Sequence, residues 1–187
     1  KLIDRVKPEH PNLEIDCLRF NSLNYKSDWQ NLELRLAKFG IPNVFIYNAG
    51  LRFYKESLTA SEKEATMKVN YYCPVFLIER IGEKMHQEGI EGKIILTSSV
   101  LAGEHHPFLE DYCFSKGQLE KYVQEKTEYW KSRGIEIKVV SPNLTRTPMI
   151  EERINIYEEE VRQGRRQKID SPEEIAEEIT GLCLNNG

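Results

Sequence analysis

Tyr112 and Lys116 stand four residues apart in the run Y-C-F-S-K, at the head of a segment with helical patterning, so both project from one helix face. An ammonium beside a phenol favours the phenolate and is expected to draw the tyrosine pKa down towards working pH. Such a tyrosine gives or takes a proton at a substrate oxygen. Ser99 lies 13 residues before Tyr112, at the carboxyl end of an apolar run that reads as a parallel strand. Ligands of open α/β sheets bind at those ends, and a hydroxyl there hydrogen-bonds a carbonyl oxygen as negative charge grows on it. Two more strand ends carry suitable chemistry. Asn48-Ala49-Gly50 follows VFIY, with small residues that let backbone approach a flat ligand and an asparagine that bonds across a turn. Pro142-Asn143-Leu144-Thr145-Arg146-Thr147 follows IKVV and offers backbone amides and two hydroxyls. Asn70 is a polar residue amid apolar ones in M-K-V-N-Y-Y, mid-helix, where asparagine needs a reason.

The elements that must position these residues alternate between strand and helix patterns, which predicts βαβ units and a parallel sheet. Residues 13–20 (LEIDCLRF) alternate apolar and polar and predict an extended strand. Ser27 is the expected N-cap of a helix that begins at Asp28 and stops at Gly40. NVFIYNAG (43–50) predicts a short buried strand and a turn, and Thr59 with Glu62 a capping box for a helix running to about Gln87. KIILTSS (93–99) is a third strand, 100–111 a loop, and Tyr112 to about Ser132 a helix broken by Gly134. IEIKVVSP is a fourth strand, stopped by Pro142. Residues 149–168 are highly charged and predict an amphipathic helix or lid, and Ser171-Pro172-Glu173-Glu174 starts a last helix. No repeat, low-complexity tract or linker divides residues 1–187, which read as one domain.

Composition bounds the function. The 187 residues carry 26 basic and 30 acidic side chains, a net charge of −4, which argues against nucleic-acid binding through clustered positive charge. No apolar run approaches the ~18 residues of a membrane span. Cys17, Cys73, Cys113 and Cys183 are scattered, with no C-x-x-C pair, and read as small hydrophobes of a reducing, cytoplasmic compartment. No carboxylate or cysteine stands at ligand spacing from His105-His106, so no metal site is expected and the pair reads as solvated loop, the alternative being that it shapes a substrate pocket. Arg162, Arg165, Arg166 and Lys168 read as a solvated helical face, the alternative being a site for an anionic substrate or a cofactor phosphate. No two of the eleven glycines stand two apart, so G-x-G is absent.

The ordered series N-A-G, V-N, S-S, Y-x-x-x-K and S-P-x-x-T-x-T resembles the short-chain dehydrogenase/reductase superfamily of the classical type, over nearly all the chain from Leu13. The resemblance implies an α/β fold, a Rossmann-like doubly wound parallel sheet, here lacking the family's first two strands and its last. It implies an oxidoreductase that transfers hydride between NAD or NADP and a small-molecule alcohol or ketone. The family's tetrad falls on Asn70, Ser99, Tyr112 and Lys116. Tyr112 is then the general acid/base, Ser99 orients the carbonyl, and Lys116 tunes Tyr112 and holds the nicotinamide ribose. Asn70 would hold a proton-relaying water through a local helix distortion. Asn48, Ala49 and Gly50 would line the ribose and adenine side of the cofactor, and Pro142, Asn143, Thr145 and Thr147 the carboxamide end. Asn143 replaces the glycine that usually follows that proline, and Thr145 an aliphatic residue. The glycine-rich phosphate loop is missing, as is the βαβ unit of roughly 30 residues or more that carries it. The chain therefore reads as a fragment of a reductase, the alternative being a shortened non-catalytic paralogue that serves as a binding or scaffold module. The resemblance also implies a homodimer or homotetramer built on the helices around Asn70 and Tyr112. A sugar-nucleotide epimerase shares Tyr and Lys, but V-N and S-P-N-L-T-R-T speak against it.

Overall fold

The computed structural model describes residues 16–165 and 168–184. The chain divides into two compact units, one ending at Gly40 and one beginning at Ile41. In the first unit a 3-10 turn, Ser22–Asn24, leads into helix α1, Tyr25–Phe39. The helix starts earlier than its Ser27 cap predicts, because Ser27 Oγ donates back to the Asn24 carbonyl, 2.8 Å away, as an intrahelical group. Asp28 instead accepts from the Asn21 backbone N–H at 2.7 Å. Gly40, at φ 90°, ends the helix in a conformation that only glycine adopts readily. The strand expected over residues 13–20 is corrected in its described part. Residues 16–20 join no ladder, and an alternating pattern without a partner strand leaves its backbone groups unpaired and cannot hold as a strand. Residues 13–15 lie outside the described ones.

The second unit holds three parallel strands in chain order: β1 (Val44–Tyr47), β2 (Gly92–Thr97) and β3 (Ile135–Val140). β2 is central, pairing Val44–Lys93 to Tyr47–Leu96 on one side and Gly92–Ile135 to Thr97–Val140 on the other. Ile94, Ile95 and Leu96 are fully buried in succession, so both faces of β2 are covered, as its continuous apolar run demands. The covering helices are α2 (Ala60–Met67), α3 (Cys73–Gln87), α4 (Glu110–Lys131), α5 (Ile154–Arg162) and α6 (Pro172–Leu184). The capping box that starts α2 is present, with Thr59 and Glu62 exchanging hydrogen bonds of 3.0 and 3.3 Å. Ser171 and Glu174 repeat the device at the start of α6. The charged stretch 149–168 forms a 3-10 segment, Pro148–Arg153, that runs into α5. No described helix is long and apolar enough to cross a membrane.

Two glycines set how closely helices approach. A Cβ on Gly82 of α3 would lie 2.7 Å from the indole of Trp130, the buried residue that seats α4 against α3. A Cβ on Gly117, directly after Lys116, would lie 2.8 Å from the Gly103 backbone nitrogen. In a helix, alanine gains about 1 kcal/mol over glycine in propensity, but forcing atoms against rigid backbone costs about 1–3 kcal/mol. The clash wins at Gly117, so Gly117→Ala should lower unfolding free energy in urea melts and loosen the 100–109 loop. A variant as stable as the parent would show that the helix does not need this approach.

Candidate active site

The carboxyl ends of the three strands open into a cavity of about 530 Å³. Each strand contributes the residue type its sequence promised: Asn48 and Gly50 after β1, Ser98 and Ser99 after β2, Pro142 to Thr147 after β3. Tyr112 and Lys116 reach it from the first turns of α4. Of the residues expected to hold a cofactor, Asn48, Gly50, Tyr112, Lys116, Pro142, Asn143, Thr145 and Thr147 line the cavity. Ala49 is exposed and off the lining. Asn70 is fully buried and off it too.

Asn70 sits inside a helix distortion. Between α2 and α3, residues Lys68–Tyr72 wind as a π-helical turn, with the Cys73 N–H bonded to the Lys68 carbonyl five residues back. Pro74 explains why the α-helical ladder fails here. It has no N–H to give the Asn70 carbonyl four residues before it. The Val69 carbonyl, passed over by the shifted ladder, accepts from the Tyr47 hydroxyl at 2.7 Å. The Asn70 amide points out of this turn and is fully used. Its Nδ2 donates to the Leu51 carbonyl (2.8 Å) and to Ser115 Oγ (2.9 Å), and its Oδ1 accepts from the Leu51 N–H (2.8 Å). Ser115 Oγ in turn donates to the Tyr112 carbonyl at 2.7 Å. One buried side chain thus joins the strand-β1 loop to the helix that carries Tyr112 and Lys116.

Lys116 is 3% exposed, and its Nζ donates to the Thr97 carbonyl at 2.7 Å, at the end of β2. The Thr97 hydroxyl continues to Asn48 Oδ1 at 2.8 Å. Burial pushes the lysine pKa down to about 8, with the Glu120 carboxylate pulling weakly the other way. Burial also acts on Tyr112 and raises its pKa above the ordinary 10.0. A hydrogen bond with Ser99 and the charge of Arg52 draw it back only in part. The expectation that Lys116 sets the tyrosine low is therefore corrected for the structure as it stands. Desolvation of the phenolate is the larger effect, and the ammonium is turned to a backbone carbonyl.

The loop after β3 is internally tied. Asn143 Oδ1 accepts from the Leu144 N–H (2.8 Å), and Thr145 Oγ1 donates to the Asn143 carbonyl (3.1 Å). The two histidines divide: His105 is exposed beside Glu110 at 3.2 Å, whereas His106, expected to be solvated, lines the cavity against Tyr54. The basic cluster is exposed at Arg162, Arg165 and Lys168 but is no single helical face. The helix ends at Arg162, which pairs with Glu159, while Lys168, past the helix, pairs with Asp170 and Glu174. Arg166 lies outside the described residues. Sequence reasoning missed Ser115, Pro74, Arg52 and Arg153. For Ser115 and Pro74 the signal was spacing: one residue before Lys116, four after Asn70.

A protein-family model described as "short chain dehydrogenase" matches residues 14–157. The chain is 26% identical over 130 residues to short-chain dehydrogenase TIC 32 A, chloroplastic, of Brassica napus, covering 67% of this chain and 38% of that protein. The chain thus spans well under two thirds of that relative. Among solved structures, 4-hydroxyisoleucine dehydrogenase complexed with NADH superposes with a TM-score of 0.85 at 19% identity, over 97% of this chain and 77% of that one. ElxO with NADP bound gives 0.78 at 16% identity, over 98% and 77%. Both likenesses concern the fold.

The depressed Lys116 pKa has a sign that can be checked. The unfolded side chain keeps its proton up to about 10.5, while the folded one loses it above about 8. Below about 8 the buried charge opposes folding in full, and stability owed to this group rises with pH between the two values. An NMR titration following the Lys116 ε-carbon should show a midpoint near 8. A midpoint at the solvated value would contradict the burial.

Proposed function

The chain belongs to the short chain dehydrogenase family, and on that premise we propose that it is an NAD(P)-dependent oxidoreductase of alcohol/carbonyl pairs, with Tyr112 as general acid/base. One observation supports this most: Tyr112, Ser99 and the buried Lys116 line one cavity, with Ser99 near enough to Tyr112 to draw its pKa back towards the ordinary value.

The lining suits the nicotinamide end of a dinucleotide. The cavity falls within the ~300–1,000 Å³ of small-molecule sites. Gly50 leaves open the space that a Cβ would fill at 3.8 Å from both Lys116 Nζ and Asn70 Oδ1. Lys116 spends one of its donors on Thr97 and keeps others for ribose hydroxyls. Asn48 and Gly50 would line the ribose and adenine side of the cofactor, and Pro142, Asn143, Thr145 and Thr147 its carboxamide end. With no G-x-G in the sequence, the chain offers no glycine loop for the diphosphate. When bound, the nicotinamide supplies or accepts the hydride.

The residues manage position and protons. Tyr112 is protonated at neutral pH, a state that burial favours further, and is ready to donate to a carbonyl oxygen in reduction. Ser99, with one O–H to give, donates it to the same oxygen. The Lys116 charge then stabilises the phenolate left behind, a demand that arises only once the proton has gone. Asn70 keeps Tyr112 and Lys116 in register with the β1 loop through Ser115 and Leu51. By the family resemblance we assign self-association, as homodimer or homotetramer, to the helices around Asn70 and Tyr112, where Tyr72 (46%) and Phe114 (56%) stay exposed.

Titration of the 187-residue chain with NADH and NADPH should show stoichiometric binding of one of them, by nicotinamide fluorescence. Tyr112→Phe should keep that binding and lower turnover about 100-fold or more, since only the proton donor is lost. Binding of neither nucleotide, or unchanged turnover in the variant, would overturn the assignment.

A further inference from the structure

We propose that Arg52 and Arg153 form an oxyanion subsite in the cavity beside Tyr112, so that the substrate is an alcohol or ketone bearing a carboxylate or phosphate group. The substrate class rests on the dehydrogenase reading; the subsite itself rests on the following observations.

Both arginines line the cavity from separate parts of the chain, Arg52 just after the β1 loop and Arg153 at the end of the 3-10 segment. Arg52 is held in place by its Nη2, which donates to the Met149 carbonyl at 2.7 Å. That bond leaves its remaining donors and its charge uncommitted, and the charge reaches far enough to act on Tyr112. Arg153 is fixed differently. Its guanidinium carbon lies 4.0 Å from the ring centroid of Tyr54 and 5.9 Å from that of Tyr157. Tyr54 itself packs on Leu109, Tyr112 and Cys113, so the aromatic seat of Arg153 is continuous with the catalytic helix.

Neither guanidinium makes an ion pair with a carboxylate among the described residues. Arg153 goes further: its Nε–H is buried with no hydrogen-bond partner among those residues. A buried guanidinium donor without an acceptor is costly, and native structures leave few of them, each calling for a reason such as a functional role or a water or ion that completes it. The lining carries Arg52, Lys116 and Arg153 against one carboxylate, Glu160, in a chain whose net charge is −4. Local positive charge against an acidic whole, held by aromatic stacking at Arg153 and a backbone carbonyl at Arg52 and not by ion pairs, matches a planar or tetrahedral oxyanion. Beside Ser99 and Tyr112, that anion would orient the reacting carbon and supply binding energy remote from it.

The test is calorimetric titration of the 187-residue chain, without nucleotide, using 3-hydroxybutyrate and its methyl ester, and glycerol 3-phosphate and glycerol. At least one anion should bind tenfold or more tightly than its neutral partner, and the preferred pair separates carboxylate from phosphate. Arg153→Gln should lose that tenfold for the anion and leave the neutral compound unchanged, with Arg153→Lys recovering part of it. Equal binding of anion and neutral partner, equal loss of both in Arg153→Gln, or no binding of either anion would overturn the subsite. A separate titration with NADPH completes the test: a loss in Arg153→Gln confined to NADPH would give the arginine to a cofactor phosphate and overturn the subsite. Turnover separates the two readings. An anion that binds through Arg153 yet is never oxidised with NAD or NADP leaves the subsite standing and removes the dehydrogenase. Neutral alcohols turned over no worse than the acids do the reverse.

Discussion

A single buried amide holds the site together. Asn70 has three strong hydrogen bonds and no exposure, and it makes them from a helix that has been forced out of α geometry. The cause is local and covalent. Pro74 cannot complete the ladder to the Asn70 carbonyl, the turn widens, and the amide is aimed sideways at the loop after β1 and at α4. An unmet amide at that depth would cost about 1–3 kcal/mol, so the loop and the helix are bound to the positions that satisfy it. Leu51 fixes Asn48 and Gly50 at the cavity floor, and Ser115 fixes the turn between Tyr112 and Lys116.

What that clamp positions is a pair of titrating groups that burial moves in opposite directions, the lysine down and the tyrosine up. Both shifts favour the neutral form, so a protonated phenol waits beside an amine close to its own titration point. On the proposed reading, a proton leaving Tyr112 leaves a phenolate on which Ser99 and Arg52 already act, with Lys116 on the same lining. The same low dielectric that raises the starting pKa strengthens those interactions once charge appears. Rigidity elsewhere serves this pair: Gly117 lets α4 touch the Gly103 backbone, and Gly82 seats Trp130 under the same helix.

The sequence made the order of strand ends legible because each one pairs a β-branched run with a small or hydroxyl residue: VFIY with N-A-G, IILT with S-S, IKVV with S-P-N. Those local patterns are decided by backbone sterics and burial, and the structure keeps all three. The Thr59 capping box and the Ser171 start survived for the same reason. Residues 16–20, the described part of the 13–20 run, form no strand, because alternation says only which face a strand would bury and nothing in it supplies a partner. The lysine–tyrosine electrostatics failed because spacing shows that charges are close and cannot show how dry they are. Arg52 and Arg153 were invisible for a third reason. They stand about a hundred positions apart, in stretches with no periodicity, and only the chain's closure around Tyr54 and Met149 brings both to one cavity.

The most direct test of the clamp is hydrogen exchange at the Leu51 amide, whose partner is the Asn70 side chain. In the parent chain that amide should exchange slowly, with a protection close to that of the buried β2 amides. In Asn70→Ala it should exchange orders of magnitude faster while Ile94, Ile95 and Leu96 keep their protection, showing that the loop is freed and the sheet is not. Equal Leu51 protection in the two proteins would mean that the loop is held by something other than Asn70, and the account of how this site is positioned would fall.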